Sequence, residues 1–387
     1  MSVYDFDAPV DRRGTGSLKW DVLPGELPLW VADMDFRTAP AVVDALRQRV
    51  EHGVFGYTTA PDSWRKAYGT WWRERHGWVI APDELVFCTG AVPALSSIVR
   101  KLTSPGEKVL VQTPVYNIFF NSIVNNGRFV AENELALRDG VWQMDFDDLE
   151  RKLADPQVSL MILCNPHNPV GALWDQPTLA RVGELAWKYD VTVVSDEVHC
   201  DLVDPGFEYV PFASASPACA ANSITLLAPS KAFNLAGLQS AAVVVPNAYL
   251  RRKVERGLNT DEVAEPNAFA CVAAEAAFTQ GGPWLDELRA YVAESKHLLR
   301  DFLEREVPDV RLTSSAATYL AWLDCRAFCD DSAALTRSLR EQTGLVLCAG
   351  ADYGAAGEGF LRMNLACSHT MLDDGLHRLS DFIQSLS

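Results

Sequence analysis

The sequence predicts an α/β protein, with a mainly parallel sheet in a large domain joined to a smaller α+β domain. Three observations carry this. The chain has 387 residues, long for one core and suited to two domains. In its middle, short Val/Ile/Leu-rich runs alternate with amphipathic stretches, as strand–helix–strand units do. Most of these runs lack polar alternation, so both faces are expected to be buried beneath helices, as in a parallel sheet.

In chain order, the strand candidates are Lys108–Gln112, Arg128–Glu132, Leu160–Cys164, Thr192–Ser195, Ser223–Ala228 and Ala241–Val245. Helix candidates lie between them: Val92–Leu102, Val115–Asn126, Phe146–Leu153 and Thr178–Tyr189. Near residue 283 the pattern changes. A long helix is expected over Pro283–Glu306, then strands at Val310–Leu312 and Thr318–Leu323. A helix at Ser332–Thr343, two short strands and a last helix at Met371–Ser385 complete the chain. The predicted divisions are a large domain at 46–282 and a small one at 283–387. Residues 1–45 are too few to fold alone and are expected to pack on the small domain or on another subunit.

Composition narrows the function. Hydrophobic residues make up 48% and charged residues 22%, which describes a soluble globular chain. The net charge of −17 opposes nucleic acid and anionic membrane as partners. No apolar run approaches the roughly 18 residues of a membrane span, and the N-terminus has no apolar signal core. The nine cysteines are scattered singly without a C-x-x-C pair, so they read as reduced thiols of a cytoplasmic protein. The seven histidines are equally dispersed, and no metal site is expected.

Four segments place polar residues where predicted strands end, the position of ligand sites in such sheets. Cys164-Asn165-Pro166-His167-Asn168-Pro169-Val170-Gly171 follows an apolar run; its two Asn-Pro steps fix a rigid turn that presents amides. Ser195-Asp196-Glu197-Val198-His199 puts two carboxylates at the mouth of a buried strand. Ala228-Pro229-Ser230-Lys231 carries a lysine in apolar surroundings, where burial lowers its pKa and frees the amine as a nucleophile. Thr89-Gly90-Ala91-Val92-Pro93 reads as a turn into a helix whose free amides suit a phosphate. Taken alone, each has a plain structural reading: a turn, a helix cap by Asp196, a solvated lysine, an ordinary helix start.

Together they are more specific. Asp196 follows Asn168 by 28 residues and Lys231 follows Asp196 by 35. This order resembles the fold-type I pyridoxal-phosphate enzymes of the aspartate aminotransferase superfamily over essentially the whole chain. Within it, Trp30-Val31-Ala32-Asp33-Met34-Asp35-Phe36, the Asn-Pro turn, Ser195–His199 and Pro229–Leu238 resemble the cystathionine β-lyase and cysteine C–S lyase branch. The resemblance implies that fold, pyridoxal 5′-phosphate as cofactor, and a homodimer with shared sites. It also implies roles. Lys231 matches the lysine that binds the cofactor covalently. Asp196 matches the carboxylate on the pyridine nitrogen, Asn168 the donor to the phenolic oxygen and Tyr116 the ring-stacking aromatic. His199 stands where many relatives have a tyrosine. Ala91 and Val92 match the phosphate-binding amides, with Ser230 beside them. Tyr57 matches a tyrosine that reaches the neighbouring subunit's phosphate. Arg362 matches the clamp on the substrate α-carboxylate, with Ala32 nearby.

Two positions depart from the superfamily pattern. Ala228 stands where many members carry a hydroxyl, and Gln239 where many carry an arginine. The glycine-rich segment Gly350–Gly359 reads as a surface loop near the site entrance. Tyr4, Phe36, Trp64 and Phe119 are candidate lining residues. The activity implied is β-elimination from cystathionine or another S-substituted L-cysteine, giving thiol, pyruvate and ammonia. Transamination, or a decarboxylating or oxidative reaction on a cysteine conjugate, would use the same residues.

Overall fold

The computed structural model describes residues Val3–Leu386; Met1, Ser2 and Ser387, the ends of the first and last predicted divisions, lie outside the described residues. Seven strands form the large sheet: β1 (Leu85–Cys88), β2 (Lys108–Thr113), β3 (Phe129–Glu134), β4 (Val158–Cys164), β5 (Thr192–Asp196), β6 (Ser223–Leu227) and β7 (Ala241–Val244). Their spatial order is β1-β7-β6-β5-β4-β2-β3. β2 pairs parallel with β3 and β4, and β4, β5 and β6 continue in parallel; β7 alone runs opposite, between β6 and β1. The central strands are apolar on both faces because helices cover both sides. The parallel arrangement brings the carboxyl ends of β1, β2, β4, β5 and β6 to one edge, so the segments that follow them meet there.

The helices α1 (Pro40–His52), α2 (Asp62–His76), α3 (Ala91–Leu102), α4 (Ile118–Val124), α5 (Phe146–Leu153), α6 (Gln176–Lys188), α7 (Ala248–Thr260) and α8 (Ala270–Gln280) surround this sheet. α5 and α6 start where Asp145 and Asp175 accept from first-turn amides, which satisfies donors that the helix leaves unpaired. α9 (Gly282–Glu306) leads to a second, antiparallel sheet of β8 (Arg311–Leu312), β9 (Leu320–Asp324), β10 (Cys348–Ala349) and β11 (Phe360–Asn364), ordered β8-β9-β11-β10. α10 (Ser332–Thr343) and α11 (His369–Ser385) complete this part. The amino-terminal segment docks on it: Leu27–Pro28 pairs parallel with Leu345–Val346.

The structure adds elements that the sequence reading omits. β1 is four residues long and, among the described residues, pairs with the antiparallel β7 alone. α1, α2, α7 and α8 lie outside the strand–helix alternation. α4 is shorter than expected, because Pro114–Asn117 forms an irregular turn between β2 and the helix.

An aromatic core beneath the sheet edge fixes one part of the site. Trp71, Phe278 and Trp284 surround the fully buried Phe233, with ring centroids at 5.8, 5.9 and 5.9 Å. Removing such a buried ring costs about 3–5 kcal/mol, so the turn that carries Lys231 is anchored two residues downstream. Gly171 joins the two parts of the molecule. Its φ of +67° is a left-handed conformation, and a Cβ there would lie 2.9 Å from the Ala317 carbonyl oxygen.

Candidate active site

β6 ends at Leu227, and Pro229 opens a single helical turn, Pro229–Ala232, that presents Lys231. The amine donates to the Ala32 carbonyl at 2.7 Å. Burial, then the positive Arg362, pull its pKa down to about 8 against the opposing pull of Asp33 and Asp196. Ala32 belongs to an irregular strap, residues 30–36, whose carbonyls depend on side-chain donors. Arg362 Nη2 donates to Trp30 at 2.8 Å, and Asn364 Nδ2 to Val31 and Asp33 at 2.6 Å each. Asn234, three residues after Lys231, donates to Met34 and Phe36 at 3.0 Å each and accepts from the Met34 amide. Asp35 anchors the strap from behind, paired at 2.7 Å with both Arg12 and the fully buried Lys19.

Asp196 closes β5 and is buried. Its backbone carbonyl accepts from the Asn165 amide at 3.0 Å, which ties the second and first motifs together. Its carboxylate accepts from the Val198 amide at 3.3 Å, and burial raises its pKa to about 6. Glu197 points into the core instead and accepts from Ser195, Asn165, the Phe212 amide and Tyr209. His199 is buried, and burial followed by the charges of Lys231 and Arg362 drive its pKa well below the usual histidine range. It is therefore a neutral imidazole, with Nδ1 unpaired.

Arg362 comes from the middle of β11 and is almost wholly buried. Besides Trp30, it donates to Asn168 Oδ1 at 3.2 Å, contacts Cys348 Sγ at 3.5 Å, and lies over the Tyr353 ring at 4.9 Å. Its Nε has no hydrogen-bond partner among the described residues. A planar fork with a spare donor suits a carboxylate. Tyr116 follows β2; its amide donates to the Asn168 carbonyl at 3.1 Å, and burial raises its phenol pKa above the ordinary value.

The structure thus gathers Lys231, Asp196, Asn168, Tyr116, His199, Arg362 and Ala32. Ser230 adjoins the lysine, and Ala91 and Val92 open α3 at the same sheet edge. Tyr57 stands apart, fully exposed, on an extended segment. It borders grooves of about 850 Å³, with Arg65 and Phe87, and about 650 Å³, with Gly237 and Gln239. The residues fit pyridoxal phosphate. A buried carboxylate holding one long backbone bond has capacity for a cationic donor, the unpaired His199 nitrogen for a ring substituent, the α3 amides for a phosphate, and a depressed lysine for a carbonyl carbon.

Three expectations need correction. Trp64 is fully buried against Tyr68 and Phe87, with ring centroids at 4.7 and 5.8 Å, so it belongs to the core rather than to an entrance. Phe119 is likewise buried, packed edge-on behind Tyr116. Gly350–Gly359 is a packed connection and not a surface loop. Gly350 and Gly357 touch, a Cβ on Gly350 would lie 2.5 Å from the Phe360 carbonyl, and the buried Tyr353 accepts from the Val115 amide at 2.9 Å. The sequence reading also missed Asn234, Asn364, Tyr319 and Tyr353, which hold the strap and Arg362. Asn234 lies inside a motif already singled out, Asn364 two residues past Arg362, and Tyr353 within Gly350–Gly359; Tyr319 has no local signal. Away from the site, ligand atoms of His76, Cys200 and Asp201 lie within 4.8 Å of one another. A His76–Asp201 contact of 2.8 Å and a Trp71 donor at 3.0 Å account for that cluster.

The chain is similar to characterised proteins along its whole length. It is 44% identical to cystathionine beta-lyase PatB of Bacillus subtilis, over 97% of this chain and 98% of that one. Among solved structures, pyridoxal 5′-phosphate-containing cystalysin from Treponema denticola superposes with a TM-score of 0.96 at 32% identity, covering both chains fully. The pyridoxal-phosphate-bound C–S lyase from Staphylococcus hominis superposes at 0.92 with 31% identity, over 98% of each chain. Residues 26–379 match the aminotransferase class I and II family, and the chain belongs to that family.

Proposed function

We propose that the protein is a pyridoxal-phosphate-dependent lyase that cleaves the carbon–sulfur bond of an S-substituted L-cysteine, releasing thiol, pyruvate and ammonia. The observation that carries the reading is the convergence of Lys231, Asp196, Asn168 and Arg362 in a chain 44% identical to a cystathionine beta-lyase. The large part, residues 46–282, holds the cofactor, and residues 283–387 contribute the arginine.

Pyridoxal phosphate, when bound, supplies an electron-poor ring that accepts the electron pair left at the substrate Cα. The protein's residues do the rest. Asp196 holds the proton on the ring nitrogen, because a buried carboxylate favours a cationic neighbour. Asn168 and the neutral His199 offer hydrogen bonds at the ring edge, and Tyr116 covers its face. The amides of Ala91 and Val92, with Ser230, take the phosphate. Arg362 turns its fork to the α-carboxylate. Lys231 would hold the cofactor through its amine and, when free, would take the Cα proton, a task suited to an amine titrating near 8. The proton taken by Lys231 would pass to the sulfur as its bond to Cβ breaks, releasing the thiol, and water would hydrolyse the remaining three-carbon enamine to pyruvate and ammonia.

The assembly we propose is a homodimer. The exposed Val54, Phe55 and Tyr57 form an apolar stretch on an irregular segment, which suits a covered surface. Tyr57 then serves the partner's phosphate. The nine unpaired cysteines support a reducing, cytoplasmic setting. The test is product analysis with L-cystathionine and S-alkyl-L-cysteines. Equal amounts of pyruvate, ammonia and thiol without a keto acid support the lyase; a requirement for a keto acid and formation of a new amino acid replace it with an aminotransferase.

A further inference from the structure

The Ala32 carbonyl accepts from two donors. Beside the Lys231 amine at 2.7 Å, the Tyr319 hydroxyl reaches the same oxygen at 3.0 Å. Tyr319 is fully buried and sits edge-on to His199, with ring centroids at 6.2 Å. It leads into β9, the strand that places Trp322 opposite Arg362, and its carbonyl accepts from the Leu365 amide at 2.8 Å. Thr318, just before it, is buried and β-branched, yet has a φ of +66°. That left-handed conformation is costly for such a residue and persists only where the surroundings enforce it. Here they do: the Thr318 amide donates to Leu202 at 2.7 Å, and its hydroxyl accepts from the Leu320 amide at 3.1 Å. The strained backbone immediately precedes the one residue that shares the lysine's acceptor among the described residues.

We infer that Tyr319 is a positioning residue for Lys231, its hydroxyl fixing the Ala32 carbonyl that receives the amine whenever the amine is free. The inference rests on the reading of Lys231 as the base. A carbonyl oxygen has two lone pairs and serves both donors at once. While Lys231 is engaged with the cofactor, Tyr319 keeps the Ala32 oxygen satisfied and in place. When substrate releases the amine, it meets a pre-set acceptor and is held in one orientation for proton transfer. A phenylalanine would preserve the ring packing and remove only this control. Burial keeps the phenol protonated, hence a donor, throughout the working pH range.

The test compares holoenzyme with Tyr319→Phe holoenzyme, using S-methyl-L-cysteine as substrate. The readouts are kcat and KM across pH, the kinetic isotope effect from α-deuterated substrate, the pH titration of the visible cofactor band, and Tm. The expected result is a fall in kcat of about tenfold with KM nearly unchanged, a larger isotope effect, and a displaced acid limb. Tm and cofactor content stay near wild type. Unchanged kcat, isotope effect and pH profile overturn the inference, as does a loss of activity that tracks lost Tm or lost cofactor, which marks a structural anchor. A wild-type chain without a visible band overturns the cofactor reading first, so the two failures are distinguishable.

Discussion

Replacing Arg362 with alanine isolates the substrate clamp. The guanidinium is almost wholly buried, donates to Trp30 and Asn168, and keeps Nε unpaired. A carboxylate would accept two charge-assisted hydrogen bonds from such a fork, each contributing about 1.5–3 kcal/mol. Alanine removes both, so kcat/KM should fall by about 3–6 kcal/mol in transition-state stabilisation, roughly 10²–10⁴-fold. Arg362→Lys restores charge without the planar fork and should recover only part of this. Because Arg362 also orders Asn168, some loss should appear in kcat as well as KM. The assay is pyruvate release from an S-alkyl-L-cysteine, coupled to lactate dehydrogenase, on holoenzyme of verified cofactor content. A loss under tenfold in the alanine variant, or full recovery by lysine, refutes the clamp.

Other perturbations address the remaining parts. Lys231→Ala should abolish turnover, and borohydride, which fixes cofactor to the Lys231 peptide in wild type, should leave this variant unlabelled; retained turnover sinks the assignment. With the free amine titrating near 8, the base works unprotonated, so kcat should rise as pH climbs towards about 8 and level above it; a rate that falls across that range contradicts the role. Tyr57→Phe should weaken cofactor binding by about 1–2 kcal/mol, measured by equilibrium dialysis, and a fully active monomer on sedimentation rules out the shared site. Asp35→Ala leaves the buried Lys19 without its carboxylate and should cost about 3–5 kcal/mol in urea unfolding; a midpoint equal to wild type shows that the strap is held otherwise.

What could be read from the sequence follows from locality. Lys231, Asp196 and Asn168 each sit just past an apolar run, and a parallel sheet sends all such positions to one edge, so a list of strand ends was already a sketch of the site. The strap's partners could not be found that way. Asn364 and Tyr319 are separated from their carbonyl acceptors by 331 and 287 residues; Asn364 lies two residues past Arg362, yet nothing local ties either one to the strap. Trp64 shows the converse error. An aromatic residue near a site looks the same in sequence whether it lines a cavity or fills a core. Its spacing with Tyr68, Trp71 and Trp72 was the signal of α2's buried face. The packed Gly350–Gly359 connection failed similarly, because glycine marks both open turns and close backbone approach.

The strap has a further consequence for how the chain acquires activity during synthesis. Residues 27–36 emerge early, yet many of their hydrogen-bonding partners lie at Gly344, Val346, Arg362, Asn364 and Ala366. The large sheet, spanning residues 85–244, has all its strands long before those residues leave the ribosome. A nascent chain therefore builds the lysine's platform early, with Asn234 already placed to hold Met34 and Phe36, and waits for the last quarter of the polypeptide to complete the strap. Only when β9 and β11 arrive do the Trp30, Val31 and Asp33 carbonyls gain their Arg362 and Asn364 donors and the Ala32 carbonyl its second one. Truncation at the carboxyl terminus would thus silence the enzyme through its amino-terminal residues, leaving the sheet that carries Lys231 intact.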